Sequence, residues 1–251
     1  MANLYKLTNE NGMTRANTTT ELQWGVGVTH TAKIEGVRLC SNQVIHAYEH
    51  LPIALLIGPG TIKANKPRLW AAEGEIVARE GQLKCGVKTL TTVCEIPLPT
   101  ITLEQRAKFA ILCALEVYKE EDFVCWARKW LSREDRSKSK AQEAAKAADY
   151  TARAIRHYHK MQAQIEQQSL EEIAARCGAL VASAAWAAKS ASEAAWISQL
   201  KALDERVVAC VNEAVAHTAN LVFDTLLQQG TTDIPILHQA HQVVLFDCVV
   251  G

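Results

Sequence analysis

Between residues 141 and 200 the chain carries 19 alanines, and this tract decides the character of its second half. Alanine has the highest helix propensity because it loses no side-chain entropy on entering a helix. Long helices are therefore predicted from Ser137 onward. Their seams are weak residue by residue: a buried methyl group contributes about 0.8 kcal/mol, against about 1.5–3 kcal/mol for a leucine. Such helices must approach closely along a long contact, or a partner must cover them. Trp186 and Trp196, both preceded by Ala-Ala, carry the large apolar surface of the tract. Each can bury on the order of 200 Å². They serve either as anchors of an antiparallel bundle or as candidate contacts for a protein partner.

The helical half has readable punctuation. Thr102-Leu103-Glu104-Gln105 fits a capping box, opening a helix to about Tyr118 that is apolar nearly all round and so largely buried. We expect that helix to pack on the N-terminal sheet. A second helix over about 121–131 places Trp126 and Trp130 on one face. Ser169-Leu170-Glu171-Glu172 is another capping box, placing a break near Gln168, and Gly178 marks a candidate interruption. Leu200 to Leu221 shows a 3-4 spacing, Gly230 sits in the C′ place, and a short helix fits 234–246.

The first hundred residues read differently. Residues 2–8 alternate apolar and polar, a strand pattern, and Asn9 to Gly12 reads as a turn. Residues 23–30 look like a second strand holding two glycines, and Val37 to Leu39 like a short third. Val44 to Tyr48 reads as a strand, and Glu49 to Ile57 as a short helix stopped by Gly58-Pro59-Gly60. Arg68 to Val77 and Leu83 to Ile96 supply the remaining strands before Pro97 and Pro99. The predicted class is α+β: a strand-rich domain over 1–100 packed on an all-α, alanine-rich bundle over 101–251.

Charge is balanced, with 27 Lys+Arg against 27 Asp+Glu, so bulk electrostatics point away from nucleic acid and from an anionic membrane. Eight scattered cysteines form no CxxC pair and read as free, buried thiols. No basic start with an apolar core precedes residue 30, so a cytoplasmic or virion location without a signal peptide is expected. No run approaches the ~20 apolar residues of a membrane span.

No GxxxxGK[ST], GxSxG or HExxH is present, and Gly25-Val26-Gly27 holds only a fragment of the dinucleotide-binding glycine spacing. The pairs His46/His50 and His238/His241 lack a third metal ligand at a convincing spacing, so neither a metal nor a cofactor is expected. The cluster from Arg128 to Lys140 is broken by Glu134 and Asp135 and reads as a solvated connection. Polar and aromatic side chains do gather around the glycine-interrupted strands. Gln23, Trp24, His46, Tyr48, Glu73 and Glu75 are the candidate ligand-binding residues.

Several segments carry a resemblance: Leu4 to Thr8, Gln23 to His30, Ile45 to His50, Leu69 to Glu75, and Phe109 to Tyr118. Over residues 1–135 the chain resembles a domain of unknown function found in bacteriophages and bacteria, often with an alanine/tryptophan-rich helical tail. The resemblance implies a phage or prophage setting and no particular activity. The step from His46-Ala47-Tyr48 into a short helix also looks like the strand–helix step of ADP-ribosyltransferase-type folds. There, an aromatic and a later glutamate attend the nicotinamide-ribose, roles that Tyr48 and Glu73 or Glu75 would take. The Ser-Thr-Ser and glutamate-x-glutamate signatures of such enzymes are missing from the expected places.

Two functions follow as expectations. The first is a non-catalytic phage-type accessory protein acting through protein–protein contacts, as a host-factor or defence inhibitor or a virion component, with homo-oligomerisation open to it. The second is a nucleotide-binding or ADP-ribosyltransferase-like enzyme using the N-terminal domain.

Overall fold

The computed structural model describes residues 2–16, 18–39, 41–62, 64, 66–162, 171–198, 205–231 and 235–246, with backbone alone at 155–162, 171–182 and 245–246. The chain is α+β, with strands confined to its N-terminal part and helices filling the rest. It divides into two compact units, one of residues 1–102 with 236–251 and the other of 103–235. The sequence placed everything after residue 100 in one helical domain. The last helix instead groups with the strands, because it packs against the helix over 51–62.

In the first unit, β6 (Arg68–Glu80) and β7 (Lys84–Ile96) form a long antiparallel hairpin. β1 (Ala2–Thr8) pairs with β6. The short β4 (Thr29–Thr31) and β5 (Ile45–Ala47) line up end to end along β7. The sheet closes on itself through one bridge, in which Tyr5 N–H donates to Tyr48 C=O at 2.8 Å and Tyr48 N–H donates to Tyr5 C=O at 2.9 Å. Inside the curl lie Leu4, Trp24, Ile45, Ala47, Cys85 and Leu90. A separate ribbon of β2 (Met13–Thr14) and β3 (Leu22–Gln23) sits beside β1.

Three local expectations fail, each for a visible reason. The strand expected over 23–30 is cut into β3 and β4 by a turn in which Gly27 adopts φ +72°. The turn swings Trp24 into the core, and Thr92 holds it by donating its hydroxyl to Gly25 C=O at 2.5 Å. Val37 to Leu39 is loop, held by polar side chains: Arg38 N–H donates to Gln43 Oε1 at 2.9 Å. Gly58-Pro59-Gly60 does not stop the helix, and α1 runs over Leu51–Ile62 with Pro59 inside it. Every residue from Pro52 to Gly60 is buried, so packing overrides local propensity. Gly58 even assists, since a β-carbon there would stand 3.1 Å from the Leu7 side chain.

The second unit holds α2 (Leu103–Val117), α3 (Glu121–Leu131), α4 (Lys138–Gln162), α5 (Glu171–Ile197) and α6 (Glu205–Gln228). α2, expected on the sheet, packs along α5 and α6 within this unit. α5 runs unbroken through Gly178. The break placed near Gln168 and the start of the Leu200 seam lie outside the described residues. Ala141, Ala148 and Ala152 of α4 and Ala184, Ala188, Ala191 and Ala195 of α5 are all buried, so the alanine seams lie against neighbouring helices. Trp126 and Trp130 share the buried face of α3, as their spacing requires. α6 ends in a Schellman motif: Gly230 at φ +76° donates to Leu227 C=O, and Thr231 N–H donates to Leu226 C=O. α7 (Ile236–Phe246) completes the first unit.

Two glycine substitutions separate steric from conformational cost. In Gly74→Ala the new β-carbon would meet the Thr89 backbone oxygen at 2.8 Å, so the hairpin must shift. A loss of about 1–3 kcal/mol is expected in urea denaturation. In Gly230→Ala nothing lies within 4 Å, and only the left-handed backbone resists. That loss should be about 1 kcal/mol.

Candidate functional site

Past the Tyr5–Tyr48 bridge, no further pair joins β1 to β5. A cavity of about 530 Å³ opens there, within the size range of small-molecule sites. Lys6 and Leu7 of β1 form one wall, and Val44 to His46 with Tyr48 form another. Arg15 and the threonine-rich segment 19–22 form the rim, and Thr61 and Ile62 close it from the end of α1.

Lys6 is the unexpected member. It lies on the inward face of β1 with Leu4 and Thr8, and only 7% of it is exposed. Its Nζ donates to His46 C=O at 2.6 Å and stands 5.1 Å from the centre of the Trp24 ring. Among the described residues no carboxylate pairs with it. Burial, with the positive charge of Arg15 nearby, lowers its pKa from 10.5 to about 7.

Arg15 adopts φ 54°, a left-handed conformation that disfavours side chains other than glycine. Two contacts hold it there: its guanidinium donates to Asn42 Oδ1 at 2.6 Å and to Ser41 C=O at 3.2 Å. The His46 imidazole is lowered to about 4, first by burial and then by Lys6, Lys84 and Arg15, so it is neutral at physiological pH. Tyr48 is raised by burial and keeps its phenolic proton. Lys33 also lines the cavity, and among the described residues Glu21 is the one carboxylate in the wall.

The candidate residues named from sequence therefore separate. His46 and Tyr48 line the cavity together. Trp24 is buried in the core and does not line the cavity, its Nε1 donating to Thr14 Oγ1 at 2.9 Å and its ring meeting His30 edge-on at 4.7 Å. Gln23 is tied to the turn, donating to Asn11 C=O at 2.9 Å, and does not line the cavity. Glu73 and Glu75 are exposed, outside the cavity, on the face of β6 opposite the buried Trp70 and Ala72. Glu73 pairs with Asn3, further along β1 than the Tyr5 that bridges to Tyr48, and Glu75 lies beyond it, so neither reaches the cavity. Reasoning from sequence passed over Lys6 and Arg15. The signal was present for Lys6: it occupies the same phase of the alternation as Leu4.

In the helical unit Trp186 and Trp196 are half-buried, each beneath a lysine. Lys189 Nζ stands 4.6 Å from the Trp186 ring centre, and Lys138 Nζ stands 5.1 Å from that of Trp196. Of the basic cluster, Arg133 and Arg136 pair with Glu104, and Lys140 pairs with Glu143. Of the described thiols only Cys85 and Cys113 are buried, whereas Cys94, Cys125 and Cys210 are free and exposed. Among the described residues no three His, Cys, Asp or Glu side chains gather to hold a metal, and no helix is long and apolar enough to cross a membrane. No family model, curated protein or solved structure matches the chain.

The Lys6 environment makes a sign-specific prediction. Its folded-state pKa lies below its unfolded one, so between about 7 and 10.5 the unfolded chain binds more protons. Stability should therefore rise with pH across that window. The penalty for burying the charge is fully present below pH 7. In Lys6→Met this rise, on the order of 2–4 kcal/mol in urea unfolding, should vanish.

Proposed function

We propose that the N-terminal unit binds a small phosphorylated molecule of the nucleotide class in the cavity between β1 and β5. One observation carries this reading: Lys6, Arg15 and Lys33 line a concave site whose wall, among the described residues, contains a single carboxylate, Glu21. Lys6 and Arg15 repel each other and depress the basicity of His46. A cluster of like charge in a concave site concentrates an anionic ligand there. The apolar wall of Leu22, Ile34, Val44 and Ile62 suits a ring, and the hydroxyls of Thr14, Thr20 and Thr61 suit a sugar or phosphate.

The reading is one of binding rather than ADP-ribosyl transfer, because Glu73 and Glu75 stand away from the cavity. The phage setting is a proposal that the sequence resemblance supports. The alternative of a contact protein acting through Trp186 and Trp196 draws less support, since each ring already lies under a lysine.

Thermal denaturation against pyrophosphate, AMP, ADP, NAD and unphosphorylated adenosine tests the proposal. At least one phosphorylated ligand should raise Tm, and adenosine should not. Arg15→Ala should weaken that binding at least about tenfold, because a hydrogen bond to a charged group contributes roughly 1.5–3 kcal/mol. Equal shifts for adenosine and ADP, or none at all, would overturn it.

A further inference from the structure

An anion site needs cations, but it does not need one of them to be buried under an indole. Exposed lysines and arginines bind phosphate well, and retain their charge there. Lys6 is set apart from such exposed cations. It is almost fully buried, lies over Trp24, and is held through one hydrogen bond to a main-chain carbonyl rather than by a carboxylate. Beside it stands the Arg15 guanidinium, and in front of it lies open cavity. A lysine desolvated in an apolar pocket next to a second cation is a nucleophile, because both influences favour the neutral amine.

We propose that Lys6 is a covalent attachment point, and that the cavity accepts a carbonyl compound bearing a phosphate, held as an imine on Nζ while Arg15 takes the anionic end. The identity of the anionic end rests on the binding function proposed above; the reactivity of Lys6 does not.

The chemistry balances without an oxidant or reductant. The Nζ lone pair attacks the carbonyl carbon, and the C=O π electrons move to oxygen. One amine proton shifts to that oxygen to give a carbinolamine. The hydroxyl then leaves with the second amine proton as water, and a C=N bond remains. The His46 C=O accepts from one N–H and so orients the amine.

The full-length protein is incubated at pH 7.5 with pyridoxal 5′-phosphate, with pyridoxal, or with butanal. Each mixture is reduced with cyanoborohydride, and the adducts are mapped by peptide mass spectrometry. Lys6 should label at least about tenfold faster than exposed lysines outside the cavity, such as Lys146. The pH profile of Lys6 labelling should turn over at about 7, a readout that a purely structural lysine would not give. Arg15→Ala should move that midpoint upward.

Pyridoxal 5′-phosphate should label faster than pyridoxal, and pyrophosphate should suppress the difference. Lys6 labelling by all three aldehydes with no preference for phosphate would leave the imine standing and remove the anion reading. Labelling spread evenly over exposed lysines, with Lys6 untouched by butanal, would overturn the proposal.

Discussion

The two main-chain hydrogen bonds between Tyr5 and Tyr48 are the constraint on which the N-terminal unit depends. They close a sheet that would otherwise present β1 and β5 as open edges, and open edges are templates for unwanted pairing. Closure also brings residues forty positions apart into register. Lys6 follows Tyr5 and His46 precedes Tyr48, so the bridge delivers the Lys6 amine to the His46 carbonyl. Because pairing stops there, the strands part and the gap becomes the cavity. Fold and site thus share one cause. α1 supports the bridge from outside, with Gly58 admitting Leu7 and Tyr48 to close range.

The helical unit solves a different problem. Its α4–α5 seam is lined by methyl groups, so stabilisation comes from length and close approach rather than from large side chains. The tryptophans are placed where this strategy leaves room. Trp130 is fully buried, with the Arg136 guanidinium 4.4 Å from its ring centre and Arg136 Nε donating to its carbonyl at 2.9 Å. Trp186 and Trp196 lie at the border, where a lysine ammonium stands over the face of each ring.

What was legible in the sequence was whatever depended on local periodicity. β1, α3, α6 and the Gly230 cap follow from alternation, 3.6-residue spacing and turn chemistry. What was not legible depended on contacts across the chain. Gly58-Pro59-Gly60 reads as a stop by propensity, yet burial from Pro52 to Gly60 keeps it helical. The 23–30 strand breaks because Trp24 has a core to enter. The candidate site was half right for the same reason. His46 and Tyr48 lie two residues apart beside the Tyr5 bridge and both reach the cavity, whereas Glu73 and Glu75 sit further along β6 and stay outside it. Lys6 and Arg15 join the site only through closure of the sheet and the Ser41–Asn42 loop, neither of which has a local signature.

The electrostatics explain why this cavity is better read as a site than as a packing defect. A defect would be lined by apolar side chains and would relax by collapse. Here the wall carries a buried Lys6 that no carboxylate pairs with among the described residues, a non-glycine residue at positive φ, and an imidazole driven to its neutral form first by burial and then by nearby cations. Each is unfavourable alone, and the Lys6 and His46 shifts share two causes, burial and the nearby charge of Arg15. Replacing Lys6 with a leucine would extend the row of Leu4 and remove the repulsion at a stroke. A chain that keeps the amine there keeps a group whose protonation state a bound anion would reverse. Negative charge beside Nζ raises its basicity, so ligand binding and proton uptake are coupled through the same atom.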